Sequence, residues 1–198
     1  MTIFDLAPAA VILPLMTAGL DFVFYRRPNV QRVVSLAAVV AVLVLEIGLL
    51  AASWSSGPVS VSLGGWGAPL GIVLVVDRLA SLMLVVSSTV SLAVLVYATG
   101  QGLADGDDDS PISVFHPTYL VLLAGVSNAF LAGDLFNLYV GFEILLTASY
   151  VLLTMSGSAP RIRAGVTYTV VSVVSSMLFL IAIGMVYAAV GLSLIHIS

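Results

Sequence analysis

Polar positions in this chain are few and bunched, and long apolar runs separate them. Residues 5–25 are apolar and stop at Arg26, Arg27 and Pro28. Further apolar runs cover 32–54, 71–97, 117–131, 135–154 and 164–190. A helix needs roughly 20 residues to cross about 30 Å of hydrocarbon, and these runs cluster around that length. The pattern predicts six transmembrane helices. Pro8 and Pro14 are expected to bend or loosen the first, because proline has no N–H for the helical ladder. That first run does not read as a secretory signal, since its basic residues follow the apolar stretch instead of preceding it. Between helices two and three, Val59, Val61 and Leu63 alternate with serines before Gly64-Gly65. This spacing predicts a short β-hairpin on the membrane surface.

Composition sharpens the class. Of 198 residues, 61% are hydrophobic and 8% charged. An ordinary soluble domain has about 25% charged residues. The low value excludes a soluble cytosolic protein, a nucleic-acid binder and a disordered chain, and leaves an all-α integral membrane protein. The chain has no cysteine and two histidines. No disulfide, Cys-ligated cluster or thiol nucleophile is available, and neither a cofactor nor a metal is expected. Basic residues orient the helices. Arg26, Arg27 and Arg32 lie between helices one and two, and Arg161 and Arg163 between five and six. With six crossings both connections fall on one side, read as cytoplasmic. The Asp105, Asp107, Asp108 and Asp109 loop falls there too, as a solvated turn. Trp54 and Trp66 then mark the outer interface, and Tyr25, Tyr97 and Tyr119 the inner one. The expectation is a multi-pass protein of the cell (plasma) membrane, in a bacterium the inner membrane, with the lipid bilayer as its solvent.

In a bilayer the polar residues carry the information. Glu143 stands near the middle of helix five, roughly 13 Å deep. Its ionised form there costs about 3 kcal/mol. Burial favours the protonated acid and a nearby cation the ionised one, so a carboxyl balanced between them can exchange a proton. Tyr139, Thr147 and Tyr150 share its helical face. Helix six offers Tyr168, Ser172 and Ser175 or Ser176 on one face, and helix three offers Asp77, Ser81, Ser88 and Ser91. Together the three stripes suggest a hydrophilic pathway, although Ser and Thr also pack well between membrane helices with no further role. Asp77 and Arg78 point about 100° apart on a helix and need not pair with each other. Glu46, in the outer half of helix two, is a second intramembrane acid without a sequence-local partner. Asp134 reads as the N-cap of helix five, with Asn137 three residues on. Gly125, Ala129 and Gly133 form a small-residue stripe suited to close helix packing. His116 reads as an interfacial helix-start residue. No H-E-x-x-H, G-x-S-x-G or Walker A motif is present, so neither a hydrolase nor an ATPase is expected.

Three stretches carry a family resemblance: Leu63 through Asp77, Gly125 through Glu143, and Tyr168 through Phe179 around Ser175-Ser176. They resemble the D-type membrane subunit of the Mrp-type multisubunit sodium/proton antiporters, over residues 1–191. This family shares its fold with the antiporter-like membrane-arm subunits of NADH:quinone oxidoreductase. The resemblance implies about fourteen helices in the complete fold, of which this chain is an incomplete N-terminal part. It also implies other antiporter-complex membrane subunits as partners, protons and sodium as cargo, and Glu143 as the proton-binding residue. In the family this glutamate pairs with a lysine on the seventh helix, whereas this chain contains no lysine. Without that lysine, Glu143 is expected to be protonated and inert on its own. Residues 192–198 depart from the family pattern and read as a non-native tail. Two other functions stay open: a proton-pumping subunit of an NADH:quinone oxidoreductase, and a non-transporting assembly scaffold.

Overall fold

The computed structural model describes residues 2–25, 27–65, 71–101, 114–155 and 159–195, with 65 and 191–195 as backbone alone. It divides into two units, residues 1–155 and 156–198. Arg26, Trp66 and the acidic loop at 105–109 lie outside the described residues.

The first unit opens with a 3-10 turn, Ile3–Leu6. The helices α1 (Ala9–Val23) and α2 (Pro28–Ser56) follow. Pro8 takes the N-cap of α1, and Pro14 sits buried inside it. Pro28 begins α2, where its missing N–H is harmless. The helix ends at Gly57, whose φ of 76° and ψ of −169° are open essentially to glycine alone.

A hairpin follows, as the serine alternation predicts, but its second strand comes from elsewhere. β1 (Val59–Ser62) pairs antiparallel with β2 (Val73–Val76), matching Val59 to Val76 and Ser62 to Val73. By hydropathy alone, 71–76 belong to the start of helix three; the structure corrects this. A short apolar run reads the same in a strand as in a buried helix. Here Asp77 stops the strand and starts α3 (Arg78–Gly100).

Next come α4 (Phe115–Leu131) and α5 (Leu135–Thr154). α4 packs against α1, α2, α3 and α5. The hairpin is tied to the α4–α5 link: Gly133 N–H donates to Val73 O at 2.8 Å, and Leu74 bridges to Ala132.

Two apolar clusters hold this unit together. One gathers Phe4, Leu49, Leu74, Val76, Leu84 and Leu131. The other gathers Val39, Leu95, Tyr119, Leu120 and Leu123. The second unit contains α6 (Ala159–Ile195), which runs past the end at 190 expected from sequence.

Among the described residues, five helical segments are long and apolar enough to cross a bilayer, and α4 is a shorter apolar helix. The protein is a multi-pass helical membrane protein. The all-α expectation holds for its helices and is amended by the two-stranded hairpin.

Candidate functional site

The placement of α5 begins at its first turn. Asp134 Oδ1 accepts from Asn137 N–H at 2.7 Å, which caps the helix. Its other oxygen accepts from Val73 N–H at 3.3 Å, on β2. Asn128 on α4 donates to both Asn137 O and Asn137 Oδ1, each at 3.1 Å. Further along, Gly125 and Gly141 bring the two backbones together. A Cβ on Gly125 would lie 2.7 Å from Leu145 N, and one on Gly141 would lie 2.9 Å from Ala129 N. Gly133, expected in the same stripe, lies beyond the end of α4. A Cβ there would meet Val75 Cγ2 at 2.7 Å and Val73 O at 2.9 Å, so this glycine serves the hairpin.

With Gly141 turned to α4, Glu143 points about 200° away around α5. It is half-buried, as are Tyr139 and Tyr150, while Thr147 is exposed. The four share one side of the helix, as the spacing predicts. Glu143 is eight residues past Leu135, about 12 Å along the axis. Tyr168, Ser172, Ser175 and Ser176 fall in the second unit, on α6. Ser175 Oγ donates to Val171 O at 2.9 Å, within its own helix.

Asp77 requires a correction. The sequence puts it inside helix three, on a polar stripe with Ser81, Ser88 and Ser91. It stands instead just before α3, with extended backbone, and its carboxylate accepts from Ala80 N–H at 2.6 Å. Capping explains an acid here, because the first N–H groups of a helix have no internal acceptor. Arg78 reaches back to Trp54, donating to its carbonyl at 3.3 Å with the guanidinium 5.2 Å from the ring centroid. Asp77→Ala is expected to cost about 1 kcal/mol, and Asp77→Asn only a few tenths, because Asn caps nearly as well. Thermal unfolding in detergent measures the difference.

Asp21 and Glu46 are more deeply buried than Glu143, and both are fully inaccessible. Glu46 lies in α2, where Ser127 Oγ of α4 donates to Oε1 at 3.4 Å. Asp21 lies near the end of α1, where its Oδ2 accepts from Ser35 Oγ at 2.6 Å. Gln31 Nε2 also donates to the Asp21 carbonyl at 2.7 Å. Sequence reasoning passes over Asp21, since charged residues are ordinary at a membrane boundary. Gln31 and Ser35, one turn apart on α2, are the available signal of a polar partner. On the same helix Arg32 donates to Thr99 O at 2.9 Å, at the C-terminal end of α3, where a cation suits the helix dipole. His116 stands in the first turn of α4 as expected, and it is 1% exposed, packed inside the protein. Its ring meets Phe115 edge-on, with centroids 5.4 Å apart. Among the described residues no group of His, Asp and Glu has the makings of a metal site.

This arrangement has known counterparts. Residues 132–198 match the family described as NADH:quinone oxidoreductase/Mrp antiporter, transmembrane. The D-type subunit of the Na(+)/H(+) antiporter of Alkalihalophilus pseudofirmus is 36% identical over 181 residues, covering 91% of this chain and 36% of that protein. The chain is similar to this antiporter-like family of membrane subunits over most of its own length. A second family member, the D-type subunit of a probable K(+)/H(+) antiporter of Rhizobium meliloti, is 40% identical over 192 residues, with 94% and 33% coverage. A chain of the Mrp complex from Dietzia sp. DQ12-45-1b superposes with a TM-score of 0.85 at 28% identity, covering 96% of this chain and 35% of that one. The chain thus spans about a third of the length of the relatives it matches. The family resemblance read from Leu63–Asp77 and Gly125–Glu143 is borne out.

Proposed function

We propose that this chain contributes to the D-type subunit of a multisubunit monovalent cation/proton antiporter, in which Glu143 takes up and releases the transported proton. The observation that carries this reading is the position of Glu143: a carboxyl about 12 Å into an apolar helix, on the side of α5 that α4 leaves uncovered. Burying a charge at that depth is unfavourable, and protonation removes the charge. A group that must gain and lose a proton to be tolerated in two surroundings can pass it between them. Tyr139 and Tyr150, on the same side, supply hydroxyls that can donate to or accept from that carboxyl.

Two relatives named for antiport, one of sodium and one of potassium, support a monovalent cation as the exchanged ion. They also favour the antiporter over the other member of the family description, an NADH:quinone oxidoreductase subunit. Sister membrane subunits would complete the path and the coupling, in the bacterial inner membrane. The test is Glu143→Gln in the assembled complex, with cation-driven proton movement followed in everted vesicles. Loss of exchange with normal assembly supports the reading, and wild-type exchange overturns it. The scaffold alternative predicts that second result.

A further inference from the structure

Glu46 is the acid of the first unit that packing treats most unusually. Its carboxyl lies between three helices rather than at a helix end or a membrane boundary. Ser127 of α4 donates to Oε1 at 3.4 Å, a long contact for a hydroxyl donor. Ser88 of α3 faces the carboxyl without a formed hydrogen bond, and Oε2 has no hydrogen-bond partner among the described residues. Glu46, Ser88 and Ser127 are all fully buried.

The layers on either side are apolar. Toward the hairpin lie Leu49, Leu84 and Leu131, one from each of the same three helices. In the other direction lie Val39, Leu95 and Leu123, again one from each. A carboxyl and two hydroxyls therefore form one polar layer within an otherwise apolar three-helix contact. An acid placed there for packing alone would be expected to have its oxygens satisfied, because an unsatisfied buried polar atom is costly.

Nor, among the described residues, does any charge compensate it. Ser35, the partner of Asp21, is eleven residues from Glu46 along α2, about 16 Å. Asp77 precedes Ser88 by the same interval on α3, and His116 precedes Ser127 by the same interval on α4. Tyr119 lies eight residues before Ser127, about 12 Å along α4, and its hydroxyl donates to Ser91 O, one turn from Ser88 on α3. Asp5, in the 3-10 turn packed against α2, receives a hydrogen bond from Thr2 N–H. Among the described residues, Ser88 and Ser127 are the polar groups facing the Glu46 carboxyl.

We propose that Glu46, with Ser88 and Ser127, forms a second proton-binding site within α2, α3 and α4, and that it exchanges its proton during transport. The protonated acid has one O–H to donate, and either serine oxygen can accept it. The ionised acid accepts from both serine hydroxyls after they rotate. The two hydroxyls can therefore serve both protonation states without movement of the helices. The inference rests on the transport reading above only for the exchange during turnover; the site itself does not depend on Glu143.

The test uses the assembled complex and dicyclohexylcarbodiimide, an apolar reagent that adds to protonated carboxyls and leaves an acylurea detectable by mass spectrometry. Labelling of the Glu46 peptide is expected at low pH, to fall by about tenfold per pH unit once the acid ionises, and to be unchanged when sodium is replaced by choline. The Glu143→Gln complex should label at Glu46 as the wild type does. Glu46→Gln should slow antiport by about a hundredfold, on the scale of losing a positioned proton-transfer group. A Glu46 that never labels, or labelling set by sodium and not by pH, overturns the site. Wild-type antiport with an unchanged pH profile in Glu46→Gln overturns its exchange during transport. If Glu46→Gln does not assemble, labelling of the wild-type complex still decides the site. Loss of activity in Glu46→Gln together with wild-type activity in Glu143→Gln would remove the role given to Glu143 and leave this one standing.

Discussion

Glu143→Gln is expected to lower cation-driven proton exchange by about a hundredfold, the scale of removing one positioned proton-transfer group. Glutamine keeps the length and shape of the side chain and its ability to hydrogen bond, but it cannot carry a proton on and off. The amide is also neutral, so no charge is added to the middle of α5. Fold and assembly should therefore survive, and the loss should appear in transport alone. Glu143→Asp separates chemistry from reach. It keeps the carboxyl but withdraws it by one methylene, so residual exchange above that of the glutamine variant is expected. Both measurements belong in everted vesicles, with the amount of assembled complex measured in the same preparation. Equal exchange in wild type and Glu143→Gln would transfer the proton role to another group.

Gly125→Ala is expected to destabilise the α4–α5 pair by about 2–3 kcal/mol, a large effect for one methyl group, because overpacking a tight contact forces backbone to move. The new Cβ would lie 2.7 Å from Leu145 N and 3.1 Å from Gly141 O, and both are backbone atoms of the facing helix. A flexible side chain could swing aside, whereas a helical backbone must shift as a unit. That shift would also strain the Asn128–Asn137 hydrogen bonds near the start of α5. Gly19→Ala is the matching control. No atom lies within 4 Å of a Cβ at that position, and alanine favours a helix over glycine by about 1 kcal/mol. Its midpoint of thermal unfolding should be unchanged or higher. Equal midpoints for Gly125→Ala and wild type would mean that α4 and α5 do not touch at Gly125.

These expectations differ in how readable they are from the chain. Glu143 stands out at once, because an acid inside an apolar run is conspicuous wherever the helix packs. Asp134 is legible for a local reason: a cap bonds to an N–H three residues away, so its partner is close in sequence. Asp77 is also a cap, yet the apolar stretch before it merges with helix three and conceals the boundary. The pairing of Val73–Val76 with Val59–Ser62 separates the two, and nothing local announces that pairing. Gly133 misleads for a related reason. Its spacing from Gly125 fits a helix face, but the chain leaves the helix at Leu131 and presents that glycine to β2.

The sequence alone determined that the chain lives in a membrane, roughly where its helices run apart from the start of helix three, and which acid lies halfway along α5. Those properties follow from hydropathy and from spacing within a single helix, both of which are local. Only the tertiary structure decided that Glu46 shares a buried layer with Ser88 and Ser127, that Asp21 is held by Ser35, and that β2 joins the hairpin to the α4–α5 link. Each of these joins groups far apart in the chain, and side-chain periodicity shows which way a helix faces but not what it faces.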